Sequence, residues 1–203
     1  VGYRYFETFA KDKVLYPFGY GLSYTSFGIK AEILKNSEEE LTVAAEVVNT
    51  GAVKGKEVVQ VYAKVPQGKL GNPARRLIGF AKTGELKPGE KEEVVIVIPK
   101  YDLASYDDSG VTGHKSCYVL EEGTYEIFVG SDVRSAESAG CYEEKFRVVE
   151  KLQEACAPVE KFSRMKAVLM PDGSYRAVTE EVPVRTVDPQ ERRKQNLPET
   201  LAY

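Results

Sequence analysis

The single histidine of this 203-residue chain, His114, lies in the polar stretch Thr112-Gly113-His114-Lys115, just before Ser116 and Cys117. A Ser/His or Cys/His system needs the base within hydrogen-bond reach of its nucleophile. Ser116 and Cys117 are chain neighbours, and on a strand neighbours point apart. The stretch therefore reads as a loop carrying a solvated histidine. Acidic pairs are more frequent: Asp107-Asp108, Glu121-Glu122, Glu143-Glu144 and Glu180-Glu181. Hydrolysis of a glycosidic bond uses two carboxyl groups roughly 5–10 Å apart across a sugar ring. Adjacent strand residues face opposite sides and do not supply that geometry, so most of these pairs read as solvated surface. The sequence suggests no catalytic residue.

The densest acidic loop is Asp107-Asp108-Ser109-Gly110. It could touch a sugar or a calcium ion, but calcium takes about six to eight oxygens and this loop offers few. No metal site is expected. No GxxxxGK[ST] occurs, and Gly19-Tyr20-Gly21 lacks the third glycine and the preceding strand of a dinucleotide loop. No cofactor is expected. The segment that stands out is Tyr16-Pro17-Phe18-Gly19-Tyr20-Gly21-Leu22-Ser23-Tyr24-Thr25. Its rings could form a platform for sugars. Equally, they could anchor one domain to another, with glycine letting the backbone pass closely.

Composition narrows the classes. Hydrophobic residues make up 42% of the chain, enough for a real core. A net charge of −3 argues against a nucleic-acid partner. No apolar run approaches the ~20 residues that cross a bilayer, so no membrane partner is expected. Cys117, Cys141 and Cys156 are widely spaced, without a CxxC pair. They read as thiols and suit a reducing, cytoplasmic compartment. The sequence opens on Val1, with no charged region leading into an apolar one. The expectation is a cut domain boundary and no signal peptide.

From Ser26 onward the period is two. Leu41, Val43, Ala45 and Val47 share a face opposite Thr42, Ala44 and Glu46, and Val59, Val61 and Ala63 oppose Gln60 and Tyr62. Residues 94–98 form a β-branched run ending at Pro99. Tyr125, Ile127 and Val129 alternate with Glu126 and Phe128. Residues 142–148 alternate more weakly, with Glu144 interrupting the apolar face. Turn signals at 49–51, 66–68, 87–90 and 121–123 separate these runs. The pattern predicts an all-β sandwich of about seven strands over residues 26–150. Residues 1–25 read as an extended aromatic strap. Residues 151–203 read as an extended linker broken by five prolines, with a hairpin at 165–180 and one short helix at 188–196.

Val1-Gly2-Tyr3-Arg4-Tyr5-Phe6 followed by the aromatic segment resembles the junction into the fibronectin type III-like domain of family 3 glycoside hydrolases. The likeness continues through Val47-Val48-Asn49-Thr50-Gly51, Gly55-Lys56-Glu57-Val58-Val59-Gln60-Val61-Tyr62, Leu77-Ile78-Gly79-Phe80, Leu86-Lys87-Pro88-Gly89-Glu90 and Gly123-Thr124-Tyr125-Glu126-Ile127-Phe128-Val129-Gly130. It spans roughly residues 1–150. In that family the catalytic carboxylates lie on a barrel domain and a neighbouring α/β sandwich domain, and none can be carried onto this chain. The resemblance implies a parent that is a retaining exo-glycosidase, most often a β-glucosidase, acting on an oligosaccharide or β-glucoside. This chain would buttress the parent's catalytic domains. Tyr16, Pro17, Phe18, Gly19, Tyr20, Gly21 and Tyr24 become the expected domain-packing motif, and a free-standing carbohydrate-binding sandwich is the alternative. Asp107 and Asp108 become candidates for a loop at the substrate rim. Two departures stand out. The chain has no Trp, where many relatives carry one before the penultimate strand. It also runs on past the sandwich, and Arg192-Arg193-Lys194-Gln195-Asn196-Leu197-Pro198 resembles linkers of a permuted subset in which the barrel follows the sandwich.

Overall fold

The computed structural model describes residues 2–152 and 162–182. A short helix, α1 (Tyr3–Phe9), and a 3₁₀ turn (Lys11–Lys13) lead into ten strands. These are β1 (Phe27–Asn36), β2 (Glu40–Asn49), β3 (Val58–Lys64), β4 (Arg76–Lys82), β5 (Lys91–Pro99), β6 (Ser105–Asp107), β7 (Cys117–Leu120), β8 (Gly123–Gly130), β9 (Glu137–Glu144) and β10 (Arg147–Lys151). A second 3₁₀ turn (Lys100–Leu103) joins β5 to β6, and a hairpin of β11 (Phe162–Leu169) and β12 (Tyr175–Val182) follows.

Two antiparallel sheets, β1-β2-β5 and β4-β3-β8-β9, face each other. Their seven strands are the sandwich that the period-two pattern predicts. Leu41, Val43, Ala45 and Val47 of one sheet meet Val59, Val61, Tyr125, Ile127 and Val129 of the other in one continuous core. Burial of such branched side chains, at about 1.5–3 kcal/mol each, is the main source of stability.

Four local expectations need correction. The small sheet β10-β7-β6 is additional, made of strands too short to show a period. The weak strand at 142–148 is two strands: the chain leaves the four-stranded sheet at Glu144 and joins the small sheet at Arg147. The interrupting Glu144 is where it crosses, held by Lys100 at 2.7 Å. Residues 3–9 are helical, not extended. Tyr5 and Phe9, four apart, bring their rings within 5.4 Å, a contact that helical spacing creates. Finally, Gln60 and Tyr62 lie on the face of β3 that a one-sided, period-two strand would turn to water, but they do not face it. Both are buried, because the outer face of β3 is covered by the N-terminal segment.

The hairpin is in register from Phe162↔Val182 to Leu169↔Tyr175, around a turn with Gly173 at positive φ. It is tied to the loop after β6 through an ion pair of Arg164 with Asp108, and Lys166 lies over Gly71 in the β3–β4 connection. A cavity of about 210 Å³ separates α1 (Arg4, Tyr5, Thr8, Phe9) from Asn72, Pro73, Met165 and Ala167. The expected helix at 188–196, the linker motif 192–198 and Cys156 lie outside the described residues. Among the described residues no helix is long and apolar enough to cross a membrane.

Candidate functional site

The aromatic strap divides into an inward and an outward half. Inward, Phe18 stacks on Tyr3 with ring centroids 4.2 Å apart. The Phe18 carbonyl accepts a hydrogen bond from the Val133 amide at 3.0 Å, and the Tyr3 hydroxyl accepts one from the Leu77 amide at 2.8 Å. The buried Gln60 amide donates to the carbonyl of Ser131 and reaches that of Gly19, while Gln60 Oε1 accepts from the Tyr62 hydroxyl at 2.6 Å. Burial, first of all, pushes the Tyr62 hydroxyl's pKa well up, so it stays a donor. Gly19 has φ +87°, and a Cβ there would stand 2.7 Å from Gln60 Nε2. Only glycine lets the strap lie this close.

Side chains far apart in sequence complete the dock. Glu7, on the buried side of α1, pairs with Arg134 at 3.0 Å, and Arg134 also reaches the Lys11 carbonyl at 2.9 Å. Arg75 lies over the Phe128 ring at 4.1 Å and donates to the carbonyls of Val133 and Ala136. The far end of the strap is tied to the other sheet. The Thr25 hydroxyl donates to Asn49 Oδ1 at 2.7 Å, and the Thr50 amide to the Ser26 carbonyl at 2.8 Å. Asn49, fully buried, also donates to the carbonyls of Val53 and Leu86.

Outward, the same segment is bare. Leu15 is 83% exposed, Leu22 90% and Tyr24 98%. Tyr16 and Tyr20 stack on each other 5.0 Å apart, with much of both rings in solvent. Pro17 and Gly21 lie between these exposed groups.

The acidic loop is not what its polarity suggested. Asp107 is fully buried, so its carboxylate is not available on the surface of this chain. Its carboxylate accepts hydrogen bonds from the amides of Ser109, Gly110, Val111 and Thr112 and from the hydroxyls of Ser109 and Thr112, at 2.6–3.3 Å. Burial raises its pKa, but these donors, Thr112 foremost, outweigh burial and hold it below the usual carboxylate range. Asp107 thus folds the loop. Asp108 is engaged by Arg164. Glu121, expected at the surface, is buried; it accepts from the amides of Lys69 and Leu70, and burial lifts its pKa. His114 is exposed and stacks on Phe146 at 5.2 Å. Cys117 is buried and Cys141 exposed, both as thiols. Among the described residues no group of three or more His, Cys, Asp or Glu could hold a metal ion.

Sequence spacing pointed to the strap but not to its partners. Gln60, Arg75 and Arg134 sit where a period-two reading expects solvent or turn, and Glu7 is 127 residues from Arg134. The Asp107 loop did carry a signal, since serine, glycine and threonine two to five residues after an aspartate mark a loop wrapped on its own carboxylate.

Residues 57–133 match the family model of the fibronectin type III-like domain. The chain is 48% identical, over 205 aligned residues, to a β-glucosidase of Ruminococcus albus, covering all of this chain and 21% of that protein. Among solved structures, a β-glucosidase of Paenibacillus barengoltzii is similar over 98% of this chain, with 51% identity and a TM-score of 0.89. β-Glucosidase 3B of Thermotoga neapolitana is similar over 74%, with 40% identity and a TM-score of 0.65. The chain spans 23% and 20% of those two proteins. It thus carries the fibronectin type III-like domain that is found in the β-glucosidases of glycoside hydrolase family 3.

Proposed function

We propose that this chain is a non-catalytic module that buttresses the sugar-hydrolysing domains of a longer, retaining β-glucosidase. The observation that carries the reading is the two-sided strap. Its inner half is fixed to the sandwich, while Leu15, Leu22 and Tyr24 stand in solvent on the outer half. Large apolar groups left bare in one segment mark a surface that a partner covers. Relatives four to five times longer supply such a partner within their own polypeptide. The barrel and α/β sandwich domains of the parent are its chemical counterparts, and a β-glucoside or oligosaccharide is the parent's substrate. The permuted order, in which the tail leads on to a further domain, is part of the same proposal; it rests on the linker-like residues 192–198, and the Paenibacillus enzyme is similar over 98% of this chain, so nearly all of the tail has a counterpart there.

The carboxylates already held by partners fit a structural role. Asp107 is saturated by donors, Glu144 is paired with Lys100, and Glu121 is closed off behind two backbone amides. A glycosidase needs one free carboxylate and one free acid facing each other. A sugar platform on the strap is less well supported, because Phe18 is taken up by docking on Tyr3 and the barest outer groups include Leu15 and Leu22, which offer no ring face. The test is hydrolysis of an aryl β-glucoside by this chain beside the full-length parent. The expected result is turnover by the parent alone. Turnover by the purified 203-residue chain overturns the reading.

A further inference from the structure

We propose that the outer side of the small third sheet, where Tyr101, Tyr106, Tyr118 and Glu150 meet, binds a neutral oligosaccharide. Tyr106, Tyr118 and Glu150 lie directly opposite one another on β6, β7 and β10, so their side chains share one face. Tyr101, from the 3₁₀ turn before β6, leans on Tyr118 with centroids 4.7 Å apart and planes at 46°. Tyr106 leans on it from the next strand, at 5.1 Å and 48°. Tyr118 is half-buried against the main core, which fixes the floor, while Tyr101 and Tyr106 stay exposed. The tilted rings make a shallow cup with apolar faces and hydroxyl edges.

The chemistry selects the ligand. A pyranose ring offers an apolar C–H face for the rings and hydroxyls for phenol and carboxylate partners. Hydrogen bonding to Tyr118, with the nearby charge of Glu150 adding to it, pushes the Tyr101 hydroxyl up to about 12. That hydroxyl stays neutral at any ordinary pH, as tyrosine does, with part of its hydrogen-bonding capacity shared with Tyr118. Glu150 is the one charge on this rung, and its neighbour Lys151 lies on the next rung, opposite Cys117, on the other face. Without a cation on the rung, an anionic ligand is disfavoured. The cup is separate from the strap and is not used by the scaffold role. The inference rests on the proposed function only for the choice of a β-linked glucan as probe.

The experiment titrates cellotetraose into the 203-residue chain by calorimetry and by tyrosine fluorescence, which the absence of Trp makes usable. Saturable binding is expected, weakened by about tenfold or more in Tyr101→Ala/Tyr106→Ala and unchanged in the strap variant Tyr16→Ser/Tyr20→Ser. Tyr101→Phe/Tyr106→Phe keeps the rings and folding contacts, and should weaken binding by a smaller factor through loss of the hydroxyls. No saturable binding by the native chain overturns the inference, as does binding that survives Tyr101→Ala/Tyr106→Ala with the fold intact. Binding lost only in the strap variant also overturns it and moves the sugar to the strap. A null result leaves the scaffold reading untouched, since aryl-glucoside turnover decides that one.

Discussion

Gly19→Ala tests whether the strap is docked as described. Gly19 sits at φ +87°, where an L-residue with a Cβ costs about 1–2 kcal/mol. The new methyl would also stand 2.7 Å from Gln60 Nε2, in a buried spot where Gln60 holds the Ser131 carbonyl and the Tyr62 hydroxyl. Moving Gln60 aside forfeits one or two of those bonds, at about 1 kcal/mol each. The sum is about 2–4 kcal/mol, charged against strap docking, since Gly19 makes no contact with the core between the sheets. Hydrogen exchange at the Val133 amide reads the dock directly, because its acceptor is the Phe18 carbonyl. Faster exchange there and at the Leu77 amide is expected. If strap and sandwich unfold together, the thermal midpoint should fall by about 5–15 °C. Unchanged exchange at Val133 and an unchanged midpoint would refute the close passage of Gly19 over Gln60.

Three further substitutions probe the paired and hydrogen-bonded polar groups. Asp107→Asn keeps the shape but gives an amide where six donors converge, and should cost about 2–3 kcal/mol by thermal melts at pH 7. Because the folded-state pKa of Asp107 is depressed, its contribution is complete above the unfolded value of about 3.9 and fades as pH falls through the folded one. Melts from pH 5 to pH 2 should therefore show a shallower acid decline in Asp107→Asn than in the native chain. Lys100, buried over the Tyr142 ring and paired with Glu144, should cost about 3–5 kcal/mol when changed to Met, and Lys100→Met/Glu144→Leu should recover much of that. A double variant no better than the single would contradict the pairing. Arg164→Ala removes the tie to Asp108, and should speed proteolysis of the β11–β12 hairpin while leaving the sandwich midpoint within about 2 °C.

The sandwich was legible because its strands are long enough to show a period. Leu41, Val43, Ala45 and Val47 alternate cleanly, and all four are fully buried. The strap was legible as a place and ambiguous as a role, since ring content says nothing about which faces are free. The short strands β6, β7 and β10 were not legible, because three to five residues hold too few alternations. Polar burial was the least readable property. Asp107 and Asp108 are adjacent and chemically alike, yet one is sealed inside its own loop while the other is held by a hairpin more than fifty residues on. Which carboxylate is buried depends on chain crossings that local sequence does not encode. Gln60 shows the converse: a polar residue on a strand reads as wet until another segment lies over it.

The strap's two halves can be separated by where their loss is felt. Leu22 and Tyr24 are almost wholly exposed, so Leu22→Ser/Tyr24→Ser has little to remove from the isolated chain, and its melting should stay within about 1 °C of native. In the full-length parent the same pair, once covered by neighbouring domains, would contribute about 3–5 kcal/mol of apolar burial. The parent variant should therefore melt earlier and lose aryl-glucoside turnover on mild heating, although no substituted residue is catalytic. Gly19→Ala predicts the opposite pattern, a loss already present in the isolated chain. If Leu22→Ser/Tyr24→Ser left the parent as stable as native, the outer half of the strap would face water there too. The bare apolar side chains would then no longer point to domain packing, and the scaffold reading would have to rest on the rest of the fold alone.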